Sequence, residues 1–280
     1  MSISGLFTKI YRDIINDQVS LIRLPDVVNR LRKALSDQDI TIDTLARVIQ
    51  TDVGASAYLL NIANSPAYRT RVKASDIQSA IRMMGIPNFS NLITVYAVRS
   101  MVNSKDPTAL KFMKSHWQRS AYRAAIANAI AKLTNGVNPD KALLAGLLQN
   151  VGALPILTRL QSDQMEGLSA DEIDLALETY AGKVGVVLAQ KWELDEEFKA
   201  VIKNARNLAY DGGDKTDLVD VVNIAQLLSQ IGDPGTKWPR LEETPCLMKF
   251  GEDGLTMETS LSLLKQAQED INEIKQVLSA

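Results

Sequence analysis

The stretch from about Thr108 to Leu133 sets the tightest limit on the fold. Its residues fall at helical spacing, and Ser120, Ala121, Ala124, Ala125, Ala127 and Ala129 leave it little side-chain bulk. Neighbouring helices can approach such a surface closely, which predicts a bundle built around one long helix. The helical pattern runs almost throughout the chain. Ile42, Leu45, Val48 and Ile49 recur at helical spacing behind Thr41, a candidate N-cap. Asp52 can cap a second helix carrying Ala55, Leu59, Leu60 and Ala63. Asn64-Ser65-Pro66 ends it, because proline disfavours the helical conformation of the residue before it. A helix from about Ser75 stops at Gly85, and Pro87 suits the first turn of the next, which holds Leu92, Ile93, Tyr96, Val98 and Met101. The polar run Ser104 to Thr108 is the best internal seam, Asn135-Gly136 ends the long helix, and Pro139 opens another. Further helices are predicted near 170–180, 182–192, 195–209 and 217–231. Residues 233–256 read as irregular, and Glu258 to Leu278 as an amphipathic helix with Leu261, Leu264, Ile271, Ile274 and Leu278 on one side. No convincing strand and no short-period repeat is visible.

Composition narrows the function classes. At 280 residues, 46% of them hydrophobic, the chain can bury a sizeable core. Its 31 basic residues nearly balance 33 acidic ones, for a net charge of −2. That balance counts against a generic nucleic-acid binder. The lone Cys246 excludes an internal disulfide framework and a cysteine-based zinc site. With no signal peptide and no long uncharged apolar run, a cytoplasmic protein without a membrane anchor is the expectation. Leu6 to Ile10 is too short and too polar-flanked to anchor anything.

Thr41 to Asn64 can also be read as a helix-turn-helix with its turn at Thr51 to Gly54. The would-be recognition helix, Ala55 to Ala63, has no Lys or Arg, whereas a DNA reader needs phosphate-neutralising charge and base-edge donors there. Arg69, Arg71 and Lys73 lie just outside it and read as a solvated loop. Nucleic acid is therefore not an expected partner.

Chemistry centres on Ala145-Gly146-Leu147-Leu148-Gln149-Asn150-Val151-Gly152, and on a chain with a single histidine, His116. The stretch resembles the signature of the HD superfamily of metal phosphohydrolases, with Gln149-Asn150 in place of the His-Asp pair that holds a divalent metal. Carboxamides are poor replacements, since hard cations want carboxylates and borderline transition metals want imidazole or thiolate.

The wider pattern resembles the HDOD family, the HD-related output domains of bacterial signalling proteins. Leu24-Pro25-Asp26, Ile49 to Val53, Leu59 to Tyr68 with its Asn64-Ser65 pair, Ser79 to Gly85, Trp117 to Ser120, Ala145 to Gly152, and Val184-Gly185 followed by Lys191 to Leu194 with Trp192 match in order. Val53 departs from the usual proline. The resemblance covers roughly residues 20–230 and implies an all-α protein. An N-terminal helical bundle would pack on an HD-like helical bundle, with a C-terminal helical extension. The division would be an N-terminal helix at 1–20, an HDOD domain at 21–212 with halves at 21–104 and 105–212, and an extension at 213–280 packed on the same body.

The departures from the family bear on function. Arg119 stands where an HD enzyme's first histidine would be, Ala181 lies near a later one, and Asn204-Ala205-Arg206 lies where a histidine pair often appears. The resemblance then implies a non-catalytic signalling or scaffold module with no metal and no cofactor. Its partners would be separate signalling proteins: a sensor kinase, a response regulator or a cyclic-dinucleotide enzyme. The alternatives are a metal-dependent phosphohydrolase, or a metal-free regulator that binds a nucleotide or small anion in the vestigial pocket. That last reading predicts that Arg119, Gln149 and Asn150 face one cavity, and it fails if Arg119 points to solvent.

Residue by residue, plainer roles compete with these. Gln149 and Asn150 can simply hydrogen-bond within a buried helix end. Arg119 can bind an anion bidentately, or lie on an exposed stripe with Lys111, Lys114 and Arg123. His116 reads as a surface or helix-packing residue. Asn64-Ser65 reads as a helix terminator, Trp117 and Trp192 as core, and Trp238 as the better surface contact.

Overall fold

The structure is a computed structural model. It describes residues 26–37, 39–65, 73–102, 107–162, 170–233, 237–250 and 254–279, together with Thr8 and Arg12. The N-terminal helix expected over 1–20, the Leu24-Pro25 pair, Pro66 to Tyr68 and Arg69 to Val72 lie outside the described residues, Thr8 and Arg12 apart.

The protein is all-α. In chain order the helices are α1 (Asp26–Leu35), α2 (Ile42–Gln50), α3 (Val53–Ala63), α4 (Ile77–Met84), α5 (Ile86–Ser100), α6 (Pro107–Leu133), α7 (Pro139–Leu148), α8 (Ala153–Ser162), α9 (Ala170–Lys191), α10 (Glu196–Lys203), α11 (Leu218–Leu228), α12 (Pro245–Met248), α13 (Met257–Gln266) and α14 (Gln268–Ser279). Local chemistry fixes many of the ends. Thr41 and Asp52 cap α2 and α3 as expected, accepting from Thr44 N–H and Ala55 N–H. Gly85, at φ 78°, ends α4 and leads straight into α5. Only glycine takes that left-handed corner without strain. Gly136, at φ 90°, turns the chain from α6 toward α7.

α7 is the hub. Every residue from Ala142 to Leu148 is buried, and α5, α6, α10 and α11 all pack on it. A helix that is apolar all round belongs in the interior. Pro139–Thr158 is the stretch of the described residues that is long and apolar enough to cross a membrane. Within this fold 89% of an 18-residue window of it is buried as core.

The N-terminal helices α1 to α5 form one half around Leu45, Ile49, Leu59, Ile81 and Phe89. The apolar face of α3 is spent there: Ala55, Tyr58, Leu59 and Ile62 are buried against α4 and α5. Asn64 clamps the far side of this half. Its Nδ2 donates to the Ala74 carbonyl at 3.0 Å, and its Oδ1 accepts from Ala74 N–H at 2.9 Å. Ser65 beside it is buried.

Several expected boundaries shift. α9 is one helix through Gly182, where a Cβ would meet nothing closer than 3.9 Å, so neither packing nor a turn calls for a break. α10 stops at Lys203 rather than near 209. The tail splits at Ala267, and its buried face runs through Ser260, Leu263, Ile271, Ile274 and Leu278, leaving Leu261 exposed. Ser260 can be buried there because its hydroxyl donates to the Thr256 carbonyl at 2.6 Å. The segment after 233 contains a short 3-10 turn at Leu241–Glu243 and the four-residue α12. Trp238 is half-buried against the core rather than presented to solvent.

An ion pair ties that segment down. Asp220 shares a capping box with Asp217 at the start of α11 and is fully buried. Lys249 Nζ reaches its Oδ2 at 3.2 Å and the exposed Asp211 at 3.2 Å. Burial pushes the Asp220 carboxyl above the ordinary carboxylate value. Removing Lys249 would strand that buried charge, which typically costs about 3 kcal/mol or more. Lys249→Ala is therefore expected to lower the thermal midpoint by about 6–12 °C. Asp211→Ala, which breaks only the solvent-exposed arm, should cost less than about 1 kcal/mol.

Candidate functional site

Three glycines place the Gln149-Asn150 turn. A Cβ on Gly146 would sit 2.6 Å from Ala124 Cα, so only glycine lets α7 lie this close to α6. A Cβ on Gly152 would sit 2.1 Å from the Ala181 carbonyl oxygen and 2.4 Å from Gly185 N. Gly185 in turn accepts Ile202 at a spot where its own Cβ would meet Cγ2 at 2.8 Å. The turn after α7 is thus seated on α9 backbone to backbone. Trp117 and Trp192 hold the periphery. Trp117 Nε1 donates to the Leu278 carbonyl at 2.8 Å, pinning α14 to α6, and the Trp192 carbonyl accepts from Arg32 on α1.

The turn opens on a cavity of about 310 Å³ between α6, α9 and the segments that follow α10 and α11. Arg119, Asn150 and Arg206 line it together, as a pocket built on the family positions requires. Gln149 does not. It is 1% exposed, its Nε2 donates to the Gly146 carbonyl of its own helix at 3.0 Å, and its Oε1 has no partner among the described residues. As the C-cap of α7 it points back into the core, so Arg119, Gln149 and Asn150 do not share one cavity.

Two residues assigned plainer roles from sequence belong to the site. His116 lines the cavity, and its Nε2 lies 3.2 Å from the Asn150 carbonyl. A carbonyl only accepts, so this contact favours the neutral tautomer protonated at Nε2. Arg123 also lines the cavity and is buried, with Nε donating to Ser229 Oγ at 3.2 Å. It is not part of an exposed stripe with Lys111 and Lys114. The spacing 116, 119, 123 puts all three on one face of α6, and that periodicity was the available signal.

The charges are arranged by depth. Asn150 and Arg123 are buried, and the Asn150 Nδ2 has no partner among the described residues. Arg119, more exposed, has no ion pair among the described residues. The cavity's carboxylates, Asp174, Glu178 and Asp233, are all exposed at its rim. Glu178 pairs with Arg206 at 3.2 Å, both partners largely in solvent. Arg206 holds φ 68° just beyond α10, a left-handed conformation that costs a non-glycine residue about 1 kcal/mol. Burial and the neighbouring Arg119, Arg123 and Arg206 push His116 down to about 4, against the Asn150 carbonyl. Burial, Arg206 and Arg119 likewise push Arg123 down to about 10, opposed by Asp233. Three guanidiniums and one neutral imidazole therefore share a small space. Among the described residues no group of three or more His, Cys, Asp or Glu side chains is placed to hold a metal ion.

The model of the HDOD domain family matches residues 21–208. A curated relative, an uncharacterized protein of Treponema pallidum (strain Nichols), is 22% identical over 250 residues, which is 84% of this chain but 47% of that protein. The chain thus spans about half that relative's length. Among solved structures, a candidate metal-dependent phosphohydrolase of Shewanella amazonensis SB2B superposes with a TM-score of 0.81 at 23% identity, covering 99% of both chains. A candidate signal transduction protein of Marinobacter aquaeolei VT8 superposes with a TM-score of 0.65 at 18% identity, over 92% of this chain and 60% of that one. At these identities the superpositions establish the fold.

Two outcomes test this geometry. Gly152→Ala should destabilise by at least about 2 kcal/mol, because the new methyl meets fixed backbone atoms rather than a side chain that can swing away. Recovery of wild-type chemical-denaturation midpoints would contradict that packing. His116, the one imidazole of the chain, should titrate by proton NMR near 4 rather than near 6.5. Because its folded value is depressed, the neutral form stabilises the fold fully above pH 6.5. That contribution, at most about 3 kcal/mol, is lost as the pH falls toward 4.

Proposed function

This chain belongs to the HDOD family, and we propose that it is a non-catalytic module of bacterial signal transduction from which the metal chemistry of the HD superfamily has been lost. The observation that carries the reading is the charge of the site. A divalent cation needs carboxylates or several imidazoles. Here Arg119, Arg123 and Arg206 crowd the single imidazole, and the pair after α7 is a core-facing Gln149 and a neutral Asn150. A metal ion placed there would meet guanidinium charge instead of ligands, so the residues present do not fit one. The Shewanella protein described as a phosphohydrolase shares this chain's fold, and a fold does not confer a reaction.

In this reading the protein acts through contacts with separate signalling proteins, such as a sensor kinase, a response regulator or a cyclic-dinucleotide enzyme. The signal-transduction description of the Marinobacter protein is consistent with that class of role. Elemental mass spectrometry tests the loss of the metal centre. After incubation with Mn, Fe, Zn and Mg and extensive dialysis, substoichiometric metal is expected throughout. One or two tightly held ions per chain would overturn the reading.

A further inference from the structure

We propose that the cavity is a binding site for a small phosphate monoester, with Arg119, Arg123 and Arg206 taking the anionic charge directly. The inference rests on the metal-free reading of the site and names its ligand, with the cavity-lining Arg123 in place of the core-facing Gln149. Arg119 and Arg123 come from one face of α6, and Arg206 comes from the turn after α10. Guanidiniums arriving from two elements suit a group with several equivalent oxygens, which each can engage bidentately. Arg123 is 8% exposed and has no carboxylate partner among the described residues, an arrangement that an incoming anion would relieve. Asn150, 6% exposed, adds a neutral side chain to the cavity wall beside the cations.

The depth of the charges selects the ligand's size. Arg123 is buried, whereas Arg119 and Arg206 are exposed at the mouth beside Asp174, Glu178 and Asp233. The carboxylates at the mouth oppose an anionic membrane surface or a polyanionic strand, while a single small anion can pass between the exposed arginines and reach Arg123. Glu178 is the counter-ion Arg206 has without ligand, in solvent, so the arginine can be shared at little cost. At about 310 Å³ the cavity is at the small end of ligand sites. A second groove, lined by Gln118, Asn272 and Lys275, shares Arg119 and Tyr122 with it and gives the rest of a monoester a polar path toward α14.

The test is isothermal titration of the full chain, in buffer containing EDTA, with inorganic phosphate, adenosine 5′-monophosphate and acetate. Saturable binding of phosphate and of the monoester is expected, with acetate much weaker. The Arg119→Gln/Arg206→Gln double variant, altered only at exposed side chains, should lose roughly tenfold or more in affinity. Lys111→Gln/Lys114→Gln on the same helix should bind as the wild type does. Absence of saturable phosphate binding, equal binding of acetate, or full binding by the double arginine variant would each overturn the site. With EDTA present, a negative result leaves the metal-free reading standing. Phosphate binding that appears only on addition of Mn would overturn both.

Discussion

The closest backbone approach in the described site is the one on which the rest depends. α7 lies against α6 at Gly146 and Ala124, and its following turn lies against α9 at Gly152 and Gly185. Each contact excludes even one methyl group. Close-packed interiors transmit such constraints, since there is no void to absorb a shift. The position of Asn150, its carbonyl contact with His116 and the closing of the cavity by α9 all follow from these glycines. They are packing residues, so the Leu-Gly frame can stand around whatever pair lies inside it. The frame holds helices; the pair inside it sets the chemistry.

At a site with a buried end and an exposed mouth, charge has to be settled locally. A metal ion would bring positive charge that carboxylates could balance and imidazoles could ligate. Here the positive charge is covalent, on Arg119, Arg123 and Arg206, and the imidazole beside it is held neutral by burial and by those cations. The carboxylates stay at the rim, where water screens them. The left-handed backbone at Arg206 and the burial of Arg123 both oppose folding, and both deliver a guanidinium to the cavity.

Much of this was legible in the chain because helix ends are written locally. Thr41, Asp52, Gly85 and Pro139 mark their boundaries by capping chemistry, backbone freedom or a fixed φ. Gly182 misleads because a glycine at an open helical position marks no turn. Leu261 misleads because the buried face continues through Ser260, a polar residue masked by its own backbone hydrogen bond. The site was half legible. Arg119, Asn150 and Arg206 came from matching family positions. Arg123 and His116 share the face of Arg119, yet a run of basic residues at helical spacing reads equally well as solvated. Only the packing of α11 and the turn after α7 buries them. Gln149 takes the plainer of its two roles, a hydrogen bond within its own buried helix end, because adjacent residues there diverge by rotation, one inward and one toward the cavity.

The most direct test is a crystal structure grown with MnCl₂ and arsenate together, with anomalous maps collected at both the manganese and arsenic edges. The account predicts an arsenic peak between Arg119, Arg123 and Arg206 and no manganese peak within coordinating distance of His116. Manganese bound at His116 or Asn150 would contradict it.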